Sequence, residues 1–226
     1  MLEIIASTVE AARNAQAGGA TSVEVVRNLS EGGLTPPIDL VKGIRAAVTI
    51  RIRVIVRPHS RSFVYTSDEI AAMIDDIAQI KAAGADGIVF GSLREDGTID
   101  LAQTEQIARA CGPLELTFHR AIDECRDADA TLPHLKGKVQ RVLTSGQQPS
   151  VWEGRDLIRR WIAEYGDSIL FSCGGGIKFD QVEAIARYIR GPEYHMGTGV
   201  QTNGVVDVEK VRTVAARIKA AEERKA

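Results

Sequence analysis

What the chain lacks narrows its function before anything it contains. No window approaches the roughly 18 consecutive apolar residues that a membrane-spanning helix requires. The amino terminus, MLEIIASTVEAARNAQ, has no basic segment leading into a long apolar core, so a cytoplasmic protein without a membrane partner is expected. Neither sign of charge is in excess. The 28 Lys and Arg face 30 Asp and Glu, a formal net charge of −2, which leaves no basic footprint for nucleic acid. Cysteine is scarce: Cys111, Cys125 and Cys173 stand far apart with no Cys-x-x-Cys, so reduced, semi-buried thiols are expected instead of a disulfide framework or a local metal knuckle. The four His form no His-x-His or His-x-x-x-His pair. No Gly-x-Gly-x-x-Gly turn follows the first apolar run, which argues against an open dinucleotide-binding sheet.

What is present is a repetition. Short β-branched runs alternate with longer segments of helical period along all 226 residues, the pattern of a parallel sheet with helical crossovers. Strands are expected at Leu2–Ala6, Ser22–Val26, Arg51–Val56, Gly87–Phe90, Leu114–Phe118, Val139–Leu143, Ser168–Ser172 and Glu193–Met196. Helices are expected near Thr8–Gln16, Ile38–Ala47, Ser67–Ala83, Leu101–Ala110, Ala128–Leu135, Val151–Tyr165, Phe179–Ile189 and Val208–Ala220. Eight such pairs fit one closed (β/α)8 TIM-type barrel, a single α/β domain spanning residues 1–226. The polar segment after Asp123, with Pro133 inside it, predicts one incomplete helix, and the Ala-, Glu-, Lys- and Arg-rich tail from Ala215 to Ala226 reads as a solvated helix that frays.

In such a barrel the chemistry lies at the carboxyl ends of the strands. The fifth strand ends in His119 and Arg120, with Asp123 three residues on: an imidazole, a fixed cation and a carboxylate, suited to binding and polarising a small anionic ligand. Arg57 follows the third strand, and His195 lies within the eighth. Ser145 follows the sixth strand, and Gly174, Gly175 and Gly176 the seventh. Backbone amides in such turns make an anion site, and tight strand-to-helix turns recruit glycine for their own sake. Glu3 and Glu24 sit inside strands between aliphatic neighbours; pointing inward they would be buried carboxylates in need of a cation, pointing outward they would pair with a helix. His119, Asp123 and Glu24 are the candidates for moving a proton. Glu3, Arg57, Arg120, Ser145, Gly174, Gly175, Gly176 and His195 are the candidates for holding the ligand. A three-ligand metal site built from His59, His119 and His195 with Asp123 or Glu24 is the competing reading.

Several blocks carry a specific likeness. Asn28-Leu-Ser-Glu-Gly-Gly-Leu-Thr-Pro36, Val56-Arg-Pro58 with Phe63 and Tyr65, Ala83-Gly-Ala-Asp-Gly87 with Phe90-Gly91, Leu116-Thr-Phe-His-Arg-Ala-Ile-Asp123 and Arg141-Val-Leu-Thr-Ser-Gly-Gln147 resemble the CutC family, proteins named for copper homeostasis. The resemblance runs from about Leu2 to His195. It implies a TIM-type barrel, a cytoplasmic location, a homo-oligomer (dimer or tetramer) and copper as the bound ion. Where copper-binding members carry Cys, this chain has Ile5 or Ala6, Val26 and Val64. Cu(I) prefers sulfur ligands, so these changes are expected to remove that site, leaving Cys125 and Cys173 as the remaining metal candidates. Two functions therefore stand side by side: a metal-handling protein, and a barrel enzyme performing acid/base chemistry on a small anionic or phosphorylated metabolite. A noncatalytic scaffold is the third.

Overall fold

The computed structural model describes residues 1–223; positions 224–226 of the tail lie outside them. Eight parallel strands, β1 (Leu2–Ala6), β2 (Ser22–Val25), β3 (Arg51–Ile55), β4 (Gly87–Phe90), β5 (Glu115–Phe118), β6 (Arg141–Thr144), β7 (Leu170–Gly174) and β8 (Glu193–Met196), hydrogen-bond in sequence order. The ring closes because β8 pairs with β1, Glu3 standing opposite His195. Alternation along each strand divides the core in two. Ile4, Val23, Val25, Ile52, Val54, Ile88, Phe90, Leu116, Phe118, Val142 and Phe171 belong to the layer beneath the helices. The intervening residues face the bore, where Ile5, Val26, Ile55 and Val89 form a small apolar collar of their own.

The helices are α1 (Val9–Ala17), α2 (Ile38–Ala47), α3 (Ser67–Ala82), α4 (Leu101–Cys111), α5 (Ala121–Glu124), α6 (Ala128–Leu135), α7 (Arg155–Tyr165), α8 (Val182–Ile189) and α9 (Val208–Glu223). Caps set their starts. Asp100 accepts from the Gln103 amide, and Thr66 forms a reciprocal capping box with Glu69 at the head of α3, worth about 1 kcal/mol. The fifth unit is the incomplete one, split into the single turn α5 and the two turns of α6, with Pro133 inside the latter.

Three strands begin later than the sequence pattern implies, β5 by the single residue Leu114 and β6 and β7 by two residues each. Ser168 and Ile169 donate to the Tyr165 carbonyl and so finish α7. Lys138 and Val139 do the same for Leu135 at the end of α6. Both pairs satisfy orphaned helix carbonyls first, and pairing starts at Leu170 and Arg141. Likewise α7 starts at Arg155 because Val151 donates to Gly175 in a turn, and α8 starts at Val182 after the turn closed by Gln181 and Lys178. After β8 the chain makes a 3-10 turn at Thr198–Val200 and a two-stranded hairpin, β9 (Gln201–Thr202) with β10 (Val205–Val206). The tail is less solvated than expected, since Ile218 and Ala221 of α9 are buried. No helix among the described residues is long and apolar enough to cross a membrane.

Candidate active site at the barrel mouth

Glu3 and Glu24 both point inward, and Glu3 belongs to a charged network that fills the lower bore. Arg53 of β3 donates to Glu3 at 2.7 Å and to Glu115 of β5 at 2.5 Å, and reaches Glu193 of β8 at 3.5 Å. Arg141 of β6 donates to Glu3 at 2.9 Å, to Thr117 at 2.8 Å and to Glu193. These ion pairs join strands that are not neighbours, so they are made across the axis, whereas Arg141 and Thr117 stand on the adjacent strands β6 and β5. Two guanidiniums thus serve three carboxylates. Burial works against a charged Glu3, yet Arg141, a hydrogen bond from His195 and Arg53 outweigh it and hold the carboxyl well below its ordinary range.

The network continues upward through His195. Its Nδ1 lies 3.0 Å from Glu3 and its Nε2 lies 3.5 Å from Glu24. Burial pushes the Glu24 carboxyl up despite the attraction of His195. The imidazole is raised too, because Glu24 and the hydrogen bond to Glu3 overcome its own burial. A buried carboxyl and a buried imidazole, each made easier to protonate, thus face each other at 3.5 Å.

Glu24 and His195 line the floor of a cavity of about 540 Å³ that opens at the carboxyl ends of the strands. Its walls are apolar where the collar reaches it, through Ile5 and Ile55, with Leu143, Phe63 and Met196 beside them. Its rim is cationic: Arg57, Arg120 and Lys178 all line it. Along β3 the inward residues run Arg53, Ile55, Arg57 from base to rim, so one strand supplies charge, apolar wall and charge in turn.

His119 is held in one tautomer. The Ala121 amide donates to Nδ1 at 3.2 Å, which leaves the hydrogen on Nε2, and Nε2 has no partner although it is buried. Burial, with repulsion from Arg57 and Arg120, drives its pKa down to about 3, so the ring is a neutral donor at physiological pH. Gly91 allows this placement, since a Cβ there would lie 2.5 Å from Nδ1. Phe63 packs on the ring at 4.7 Å between centroids, and the Arg57 guanidinium sits 4.5 Å from the Phe63 ring. Arg57 Nε is likewise buried without a partner.

Asp123 has a different occupation. It accepts from Thr144 Oγ1 at 2.5 Å, from the Ser145 and Gln147 amides at 2.9 and 3.1 Å, and from Arg120 Nε at 2.9 Å. Arg120 Nη2 also donates to Ser145 Oγ at 2.9 Å. Asp123 and Ser145 therefore lie behind the cavity wall and aim Arg120 at the rim. Behind the wall too is Gly174, packed against His195 and Leu143, whereas Gly175 and Gly176 line the cavity. Gly175, at φ +122°, lies so close to Ser145 and Arg120 that a Cβ would come within 2.9 and 3.1 Å of them. The amides of Gly175, Gly176 and Ile177 donate to no acceptor among the described residues. Of the residues singled out in the sequence, Glu24, Arg57, His119, Arg120, Gly175, Gly176 and His195 meet at this cavity. Arg53, Glu115, Arg141 and Glu193 are the participants the sequence reading missed.

The copper implied by the family resemblance finds no matching donors here. Cys111 closes α4, Cys125 lies between α5 and α6, and Cys173 points outward to Gly191. Burial pushes the thiols of Cys111 and Cys125 up to about 12 and about 11 and that of Cys173 higher still, away from the thiolate that would bind metal. Ile5 and Val26, at positions the resemblance associates with sulfur, belong to the apolar collar. His119 and His195 line the cavity while His59 is engaged with Glu69 at 3.1 Å, and no group of three His, Cys, Asp or Glu among the described residues is placed to hold a metal ion.

A closed ring of eight parallel strands with its polar groups gathered at their carboxyl ends defines a (β/α)8 barrel. The chain belongs to the CutC family, which it matches over residues 1–200. It is 38% identical over 184 residues to a CutC family protein of Salmonella schwarzengrund, covering 81% of this chain and 74% of that one. To the copper homeostasis protein cutC homolog of Homo sapiens it is 39% identical over 196 residues, covering 86% and 72%. A crystal structure of CutC from Streptococcus agalactiae superposes with a TM-score of 0.83 at 25% identity, over 89% of this chain and 99% of that one.

Proposed function

We propose that this protein is a barrel enzyme that moves a proton on a small organic anion. The observation that carries the reading is the pair of buried donors, Arg57 Nε and His119 Nε2, left without acceptors beside the cavity. A buried donor with no partner costs about 1–3 kcal/mol, and a ligand oxygen removes that cost. Arg120, Lys178 and the free amides of Gly175, Gly176 and Ile177 suit a phosphate or carboxylate. The apolar wall suits a short carbon skeleton, and the Glu24 and His195 pair supplies the exchangeable proton. Asp123 has its oxygens committed to the β6 loop, so the proton-moving role falls to Glu24.

The relatives' names point to copper, and one screen separates the two readings. A thermal-shift panel of phosphate esters and carboxylates is expected to contain a ligand that stabilises the fold by about 2.7 kcal/mol at a hundredfold excess over its dissociation constant, with the shift lost in His119→Ala. A panel without any shift sinks the anion reading. Saturable Cu(I) binding that disappears when Cys125 and Cys173 are both changed to Ser establishes metal handling instead.

A further inference from the structure

We propose that the site enolises its ligand: Glu24 removes a proton from the carbon next to a carbonyl group while His119 Nε2–H holds the carbonyl oxygen. The inference rests on the anion reading above and names the chemical class, a small aldehyde, ketone or 2-oxo acid that also bears a phosphate or carboxylate.

Geometry assigns the two roles. His119 offers a single donor, because the Ala121 amide occupies Nδ1, and that donor is buried and unpartnered on a residue that lines the cavity. A neutral imidazole N–H can hold a carbonyl oxygen and keep holding it as negative charge develops there, the arrangement known from triosephosphate isomerase. Glu24 lines the same cavity. It stands on β2 and His119 follows β5, three strands away around a ring of eight, so base and electrophile approach a bound molecule from different sides.

Glu24 has one neighbour that matters, His195, which is fixed in turn by Glu3. Arg141 and Arg53 lock Glu3 in place. His195 is thus a positioning residue: its Nε2, 3.5 Å from Glu24, holds the carboxylate in place and moderates how readily it takes a proton. The cations at the rim hold the anionic end of the molecule, and the collar around Ile5 and Ile55 keeps bulk water from the reacting carbon.

The step balances without an external reagent. The C–H bond breaks and its proton goes to a Glu24 oxygen. The C–H electron pair becomes the carbon–carbon double bond, and the carbonyl π pair moves onto oxygen, where His119 Nε2–H stabilises it. If the Glu24 proton exchanges with solvent before it returns to the same carbon, that carbon gains deuterium in D2O; where the carbon also bears a hydroxyl, protonation of the former carbonyl carbon, with the hydroxyl proton passing to the former carbonyl oxygen, gives the isomer.

The test is proton NMR in D2O with dihydroxyacetone phosphate, ribulose 5-phosphate and pyruvate as probes, alongside thermal shifts on the same three. Protein-dependent loss of the α-proton signal above the protein-free rate is expected for at least one probe. Glu24→Gln should slow it by about 10²-fold or more and His119→Gln by about 10²-fold, with the probe's thermal shift retained in Glu24→Gln. His195→Gln should flatten the pH dependence of exchange set by His195 with Glu3, Glu24, Arg53 and Arg141 around it, whereas loss of packing alone would lower the rate equally at every pH. A probe that stabilises the fold but shows no exchange overturns enolisation and leaves the anion reading standing. Exchange that survives Glu24→Gln overturns the assignment of the base, and absence of both shift and exchange overturns the two readings together.

Discussion

Lowering the pH from 7 to 5 should cost the wild-type protein about 2 kcal/mol more stability than it costs His119→Gln. The His119 pKa falls from 6.5 to about 3 in the folded state, through burial first and the nearby Arg57 and Arg120 second. A base whose folded pKa lies below its unfolded value takes up its proton preferentially in the unfolded chain. Its contribution is therefore intact above pH 6.5 and is lost as the pH falls toward 3. At pH 5 the unfolded chain has gained about 1.5 pH units of protonation free energy, at about 1.4 kcal/mol each, that the folded protein has not. Glu3, Glu24 and His195 titrate in both proteins, so the difference between them isolates position 119. Urea unfolding at the two pH values, with unchanged slopes, measures it. Equal losses in the two proteins, within about 0.5 kcal/mol, would refute the argument that the ring is buried and uncharged.

Arg141→Met should destabilise the fold by about 3–5 kcal/mol, because Glu3 and Glu193 would stay buried with Arg53 alone; a loss under 1 kcal/mol in denaturant melts would contradict the network. Glu3→Gln should make acid unfolding shallower, since a carboxyl held below its ordinary range contributes stability above that range and loses it as pH falls toward the folded value; melting temperatures across pH 3–6 are the check. Gly175→Ala should weaken binding of a stabilising phosphate ester by roughly tenfold, about 1.4 kcal/mol, because a methyl there displaces Ser145 and Arg120; unchanged affinity by calorimetry would remove that turn from the site. Asp123→Asn should expose the Ser145 and Gln147 amides to hydrogen exchange, and protection at wild-type levels would show that the β6 loop does not depend on the carboxylate.

The barrel was legible because its signal is repetition: apolar runs and helical segments alternate in nearly every unit, and the closed ring follows from their number. Strand starts were less legible, since Val139, Ser168 and Ile169 run straight into an apolar strand yet serve helix termini. The rim was visible for a similar reason, as residues that end strands stand out against the apolar run before them. The interior network was missed although its period is plain in hindsight. Arg51, Arg53 and Arg57, Glu115, Thr117 and His119, and Glu193 and His195 each keep one parity along their strand. Reading each charge as a local feature hid the fact that strands far apart in sequence turn the same parity toward a common axis. Asp123 shows the converse: a carboxylate three residues from a histidine looks catalytic in one dimension, and only the fold reveals the β6 loop that claims its oxygens.

Closing the ring through its axis also bears on how the chain is made. Glu3 leaves the ribosome with the first strand, while its partner His195 follows 192 residues later. At translation speeds of about 5–20 residues per second, the earliest carboxylate waits roughly ten seconds or longer for the imidazole. Until β8 emerges, Arg53 and Arg141 lack Glu193 and have only Glu3 and Glu115 between them. The last strand of the barrel to be synthesised is thereby the one that makes the interior electrically complete.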